Sequence, residues 1–171
     1  FPVQEVGISI NIRNTNDPTD IGTYIVADEN KQKSAGAITG IAGRKDFTVI
    51  TIEKKMMNQE VGFVRKILTV LEVNEISFEH MPSGIDTLSI IIDGKQLNGK
   101  LDKVLNEIKE SCSPDTIETY PNMAMIAIVG QAMAHTPGVA ARVFAAIAKE
   151  GLNIRMINQG SSEISIIIGV E

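Results

Sequence analysis

Two stretches decide the reading of this chain: GFVRKILTVL, Gly62–Leu71, and GVAARVFAAI, Gly138–Ile147. Each opens on glycine and then places apolar residues at helical spacing, Val64, Ile67, Leu68 and Leu71 in the first. The glycines are 76 positions apart (138 − 62). With that offset held, Ile52 falls on Ile128, Ile67 on Val143, Leu68 on Phe144 and Leu71 on Ile147. Phe78 then falls on Ile154, Gly84 on Gly160, Ser89 on Ser165, and Ile90–Ile92 on Ile166–Ile168. No gap is needed, so the chain contains an internal repeat.

The first copy reads in order. FTVITI from Phe47 has the β-branched and aromatic content of a strand. The helix from Gly62 follows. ISFEHM and TLSIII are two strands joined by PSGID, whose Pro82 and Gly84 form a turn. Leu101, Val104, Leu105 and Ile108 mark a second helix, with Asn98 as its N-cap, and DTIETY closes as a strand before Pro121. This order, βαββαβ, is ferredoxin-like, with helices on one face of an antiparallel sheet. The second copy predicts a strand over Met123–Val129, a helix over Pro137–Glu150, and strands over Asn153–Asn158 and Glu163–Ile168. It lacks the last helix and strand. GTYIV, Gly22–Val26, is the candidate to replace the missing edge. The fold class is α+β, two ferredoxin-like units. The expected division is 1–36, an entry segment with the completing strand; 37–121, the first unit; and 122–171, the second, shortened unit. DENKQKSAG, residues 28–36, reads as a charged connector.

Composition narrows the function. The 171 residues are 43% hydrophobic, enough for a core, with formal net charge −5. No basic run is present, which argues against nucleic acid or an anionic membrane as partner. No apolar run approaches the roughly 20 residues that span a bilayer. The single cysteine, Cys112, reads as a thiol in a reducing, cytoplasmic compartment. Phe1 in place of Met, and the abrupt end, read as a piece of a longer polypeptide.

Catalytic patterns are weak. His80 and His135 stand apart without cysteine companions, so no metal site is expected. Cys112, between Ser111 and Ser113, has no evident base. GAITGIAGRKD, with Gly36, Gly40 and Gly43 before Arg44 and Lys45, lacks the Walker pattern and reads as a hinge. The first loop, EKKMMNQEVG, has no arginine for an acylphosphatase cradle. A binding site fits better. In both copies a glycine lies in the opening turn of a helix, whose free N–H groups and partial positive charge suit a carboxylate. Polar residues lie on the next strand: Ser77, Glu79 and Ser83, or Asn153, Asn158 and Gln159. A carboxylate at the helix and an ammonium at Glu79 describe an amino acid.

These residues meet a known family. The repeat with glycine opening its first helix resembles the ACT domain, an amino-acid-sensing module. ITGIAGRKDFTVITI, FEHMPSGIDTLSIII and INQGSSEISIIIGVE together resemble the C-terminal regulatory region of the aspartate kinases, and INIRNTNDPTDIGTYIV resembles the exit from their catalytic domain. The EHMPSGIDT turn is most similar to the lysine-responsive monofunctional members. The resemblance implies feedback inhibition by lysine, with threonine as a further effector, in aspartate-family amino-acid biosynthesis. It implies a homodimer through the ACT units and a catalytic domain of the same enzyme as partner. That domain would use ATP and magnesium to phosphorylate aspartate. Its Lys-Phe-Gly-Gly-Thr motif is absent from this chain, so the chain itself is expected to have no enzymatic activity and no cofactor. By position the effector site falls on Met57, Asn58, Glu60, Val61, Gly62, Phe63, Val64, Ser77, Phe78, Glu79 and Ser83. Glu79 stands where the family usually has Asp or Asn. The equivalent of Glu79 in the second repeat is Arg155, which repels an ammonium. A second set, Thr136, Pro137, Gly138, Val139, Asn153, Asn158 and Gln159, would complete a neighbouring subunit's site or take threonine. The alternative is a stand-alone ACT-type regulatory subunit or dimerisation module of another amino-acid biosynthetic enzyme.

Overall fold

In the computed structural model, residues 3, 5–26, 37–130, 132–160 and 164–171 are described. The chain divides into two compact units, Phe1–Gly36 and Ala37–Glu171. The smaller unit is built on a hairpin. Strand β1 (Ile10–Ile12) pairs antiparallel with β2 (Thr23–Ile25), Asn11 opposite Tyr24. Gly22 enters β2 at φ 75°, where any Cβ would lie 2.3 Å from the Ile12 carbonyl oxygen. Only glycine fits so close a turn.

The larger unit is one antiparallel sheet of five strands, ordered β4-β3-β5-β7-β6, with three helices. Its elements are β3 (Gly40–Glu53), α1 (Phe63–Val73), β4 (Thr87–Asp93), α2 (Leu101–Cys112), β5 (Thr116–Val129), α3 (Val139–Lys149), β6 (Ile154–Asn158) and β7 (Ser165–Val170). The offset of 76 carries β3 onto β5, both 14 residues long, and α1 onto α3, both 11. The long strands pair along their whole length, from Gly40 opposite Val129 to Glu53 opposite Thr116. Each breaks near its middle, at Asp46 (φ 69°) and Asn122 (φ 61°), which are equivalent positions. The ladder shifts register there.

This pairing corrects the sequence reading in three places. The missing edge of the second repeat is filled by Gly40–Arg44, paired with Met125–Val129, and not by Gly22–Val26, which belongs to the hairpin. GAITGIAGRKD is therefore no hinge: from Gly40 it is strand. Nor does Pro121 end a strand, since β5 runs through it. Proline is tolerated because it sits at the bulge, where a ladder N–H is not required. Two smaller differences remain. The ISFEHM segment and the Pro82–Ser83 turn after it make only isolated bridges to β4, His80 to Ile91 and Ser83 to Leu88, since Pro82 has no N–H to give. The N-cap of α2 is Lys100 rather than Asn98, because a 3-10 turn, Gly94–Leu97, intervenes. Glu163, the expected start of the last strand, and the connector 28–36 lie outside the described residues.

Alternation along the strands builds three cores. Ile50, Ile52, Leu88, Ile90 and Ile92 pack against Phe63, Ile67 and Leu71 of α1 and Val104 and Ile108 of α2. Ile128, Ile166, Ile168 and Val170 pack against Val139, Val143 and Ile147 of α3. The intervening residues form a third cluster, in which Phe47, Val49 and Ile91 of the first repeat meet Met123, Met125 and Met156 of the second. The face that carries no helix is thus buried where the repeats touch.

Candidate functional site

α1 begins at Gly62, whose φ of 83° is a left-handed conformation costly for any other residue, and no side chain caps the helix. The Phe63 N–H is taken by the Glu60 carbonyl at 3.2 Å, while those of Val64 and Arg65 have no intrahelical acceptor and no side-chain cap. Gly138 repeats this conformation, φ 83°, at the start of α3, again without a side-chain cap.

The expected site residues in the first repeat divide by role. Met57 and Phe63 are buried and belong to the core beneath the helix start. Glu60 faces inward to cations of its own chain: Lys66 Nζ donates to Oε1 at 2.6 Å and Lys54 pairs with Oε2. Hydrogen bonds from Lys54 and then Lys66 hold its carboxyl below the usual carboxylate range. Lys54 also lies 5.5 Å from the Phe63 ring centroid and donates to the Cys112 carbonyl. Glu60 is thus an anchor for the helix start. Asn58, Val61, Gly62 and Val64 form the outer surface, and Val61 is 97% exposed. Burial pushes the Cys112 thiol up, as suits a core residue and not a nucleophile.

On the facing segment, Ser83 bridges Leu88, at the end of the sheet where Glu53 meets Thr87. α1 runs back antiparallel to β3, so its N-terminus lies at that same end. Glu79 lies four residues further along, roughly 13 Å at strand rise. It donates its backbone N–H to Ile91 and accepts a side-chain hydrogen bond from Arg44 Nη1 at 3.3 Å. Within one chain the structure therefore groups residues 57–64 with Ser83 and sets Glu79 apart. Phe78 is 42% exposed. Ser77 is held by Gln96, whose Oε1 accepts from the Ser77 N–H at 2.9 Å and whose Nε2 donates to its carbonyl.

Sequence reasoning missed Arg44, Asp93 and Gln96. Gln96 leaves no signal, being an amide that stands in for a strand neighbour. Arg44 was visible as a cation after glycines, but its role needs the strand that carries it.

The second set is spread more widely. Thr136 Oγ1 donates to the Ala132 carbonyl at 2.7 Å, Pro137 and Gly138 are exposed, and Val139 is buried. Asn153 and Gln159 are exposed. Asn158 Nδ2 lies 3.5 Å from His80 Nδ1, a contact from one repeat to the other. Arg155 pairs with Glu171 and lies 5.1 Å from the Tyr120 ring centroid. Among the described residues no three His, Cys, Asp or Glu side chains converge as metal ligands, and no helix is long and apolar enough to cross a membrane.

Known proteins share this fold. The ACT domain family matches residues 126–171. The crystal structure of Clostridium acetobutylicum aspartate kinase is 58% identical and superposes with a TM-score of 0.94, over 100% of this chain and 40% of that one. The chain is homologous to the C-terminal regulatory regions of the aspartate kinases. Aspartokinase 3 of Bacillus subtilis is 39% identical over 172 residues, all of this chain and 37% of that protein. The chain thus spans well under half the length of these aspartate kinases. Escherichia coli aspartokinase III, solved in complex with lysine and aspartate, shares the fold at 23% identity and a TM-score of 0.75, over 99% of this chain and 37% of that one.

Proposed function

We propose that the chain senses lysine for the catalytic domain of an aspartate kinase, with threonine as the other effector to test. On this reading the cytoplasmic parent enzyme phosphorylates aspartate with ATP and magnesium, and effector binding here inhibits it. The observation that carries the reading is the uncapped start of α1 at a left-handed Gly62, next to exposed Val61 and Val64. Backbone N–H groups there suit an α-carboxylate without any charged side chain. The lysine complex of Escherichia coli aspartokinase III supports the choice of effector.

The separation of Glu79 from Gly62 bears on how lysine is held. A single lysine does not span the strand length between them. The outer edge of residues 77–83 has no strand neighbour among the described residues. Antiparallel pairing of two copies about residue 81 would set Glu79 of one copy opposite Ser83 of the other, beside its helix start. The site would then be shared across a homodimer, and lysine would fix the relative position of two subunits.

Titration calorimetry tests the assignment. Truncating one partner of a buried, hydrogen-bonded charge pair costs about 2–5 kcal/mol. Glu79→Ala should weaken lysine binding at least tenfold, since about 1.4 kcal/mol is a factor of ten. Arg155→Ala, its repeat equivalent, should leave the affinity nearly unchanged. Equal losses in both variants, or none in Glu79→Ala, would remove Glu79 from the site. A chain that binds neither lysine nor threonine would be a dimerisation module instead.

A further inference from the structure

The strand that passes between the repeats brings a cation to Glu79. Arg44 is the last residue of β3 paired within the second repeat before the bulge at Asp46. Its Nη1 donates to Glu79 Oε1 at 3.3 Å, and its Nη2 donates to Asp93 at the end of β4. The guanidinium lies 4.9 Å from the Phe47 ring centroid. Two carboxylates thus meet one guanidinium, leaving a net charge of −1 and attraction for one further cation. The two contacts are unequal. Asp93 is the less exposed side chain, 18% against 47% for Glu79, and its carboxyl is held low first by the Lys95 backbone N–H and then by Arg44. If Glu79 lets go, Arg44 keeps both Asp93 and Phe47.

We propose that Arg44 is a resident competitor for the effector's ammonium at Glu79, so that effector binding is exchanged against a contact between the two repeats. This rests on the reading of Glu79 given above. In the arrangement seen, Glu79 is paired to the strand that completes the second repeat. Occupied, it is paired to the ligand, and Arg44 falls back on Asp93. The ligand therefore has different free energies in the two arrangements, which is what coupling requires. The second repeat has no such exchange. At the positions equivalent to Arg44 and Glu79 it has Tyr120 and Arg155, so a cation held by Glu171 and the Tyr120 ring stands where the first repeat offers a carboxylate to an ammonium.

The test is calorimetry of the whole 171-residue chain with lysine, at one fixed salt concentration. Arg44→Met keeps an apolar stem over Phe47 and removes the competing charge. An exposed ion pair contributes up to about 1 kcal/mol, so lysine should bind about two- to fivefold more tightly. In a Glu79→Gln background the same substitution should change nothing, because the competition acts only through Glu79. Tyr120→Phe should leave the affinity unchanged. If Arg44→Met does not fold by circular dichroism, Arg44→Gln carries the same expectations. Unchanged or weaker lysine binding on loss of Arg44, or an equal gain in the Glu79→Gln background, overturns the competition and leaves the sensing function standing. Failure of the unmodified chain to bind lysine overturns both.

Discussion

In the first repeat the helix start rests on Lys54, Glu60 and Lys66, ion-paired beneath Phe63. At the equivalent positions the second repeat has Gly130, Thr136, Arg142 and Val139. The backbone is nonetheless the same: Gly62 and Gly138 share φ 83°, and Glu75 and Gly151 both turn left-handed where α1 and α3 end. The difference teaches that the repeat conserves a way of ending a strand and starting a helix, not a binding chemistry. Glu79 in one copy and Arg155 in the other make the same point with opposite charge. Gly130 shows that the divergence is also steric. A Cβ there would lie 1.9 Å from the Ala37 carbonyl oxygen, a position that Lys54 fills in the other copy.

The largest effect should come from the cores. Ile92 and Ile168 are equivalent and both fully buried. Truncation of either to alanine should cost about 2–5 kcal/mol, by lost transfer energy and a residual cavity. The first core is sealed by α1 and α2, the second by α3 among the described residues. Ile168→Ala should therefore collapse more easily and cost less than Ile92→Ala, measured by chemical denaturation. The opposite order would mean that the second core is the better sealed.

An intermediate effect isolates the shared backbone. At Gly138 an added Cβ meets nothing within 4 Å, and at Gly62 only Arg65 Nε at 3.8 Å. Gly62→Ala and Gly138→Ala should thus each cost about 1–2 kcal/mol from left-handed strain alone. The thermal shifts should match, while lysine affinity falls only in Gly62→Ala. Loss of lysine binding in Gly138→Ala would place the effector at the wrong repeat.

The smallest effect concerns Glu60. Its folded pKa is depressed by Lys54 and Lys66. The stabilisation is therefore present above the ordinary glutamate value, about 4.3, and is lost as pH falls through the folded one. Between pH 7 and pH 3 the unmodified chain should lose more thermal stability than Glu60→Gln. Thr136→Val, at the equivalent position, should leave that acid slope alone. Identical slopes in all three would show that the lysines contribute nothing there.

The helices and the inner strands were legible because their signals are local. Glycine followed by apolar residues at helical spacing marks α1 and α3, and runs of isoleucine mark β4 and β7. The fourth strand of the second repeat was not. Gly40–Arg44 contains two glycines and lies beside a charged pair, so local propensity reads a hinge; only pairing with Met125–Val129 makes it strand. Pro121 and Asn122 read as a stop because a proline bulge is rare inside a strand. Glu79 was legible as a carboxylate near a candidate site. Its partner was not, because Arg44 stands 35 residues away and is delivered by a strand of the other repeat.

The pairing of β3 with β5 ties the repeats together through two strands that run on from one into the other. Thr116–Tyr120 closes the first repeat but continues into the strand that founds the second, and Gly40–Arg44 does the reverse. The second repeat does not own the edge that completes it. A cut at 121, where a boundary would naturally be drawn, severs a strand rather than a linker and leaves the second piece without its partner, Gly40–Arg44. The sequence carries two copies, but the shared strands make Ala37–Glu171 one compact unit.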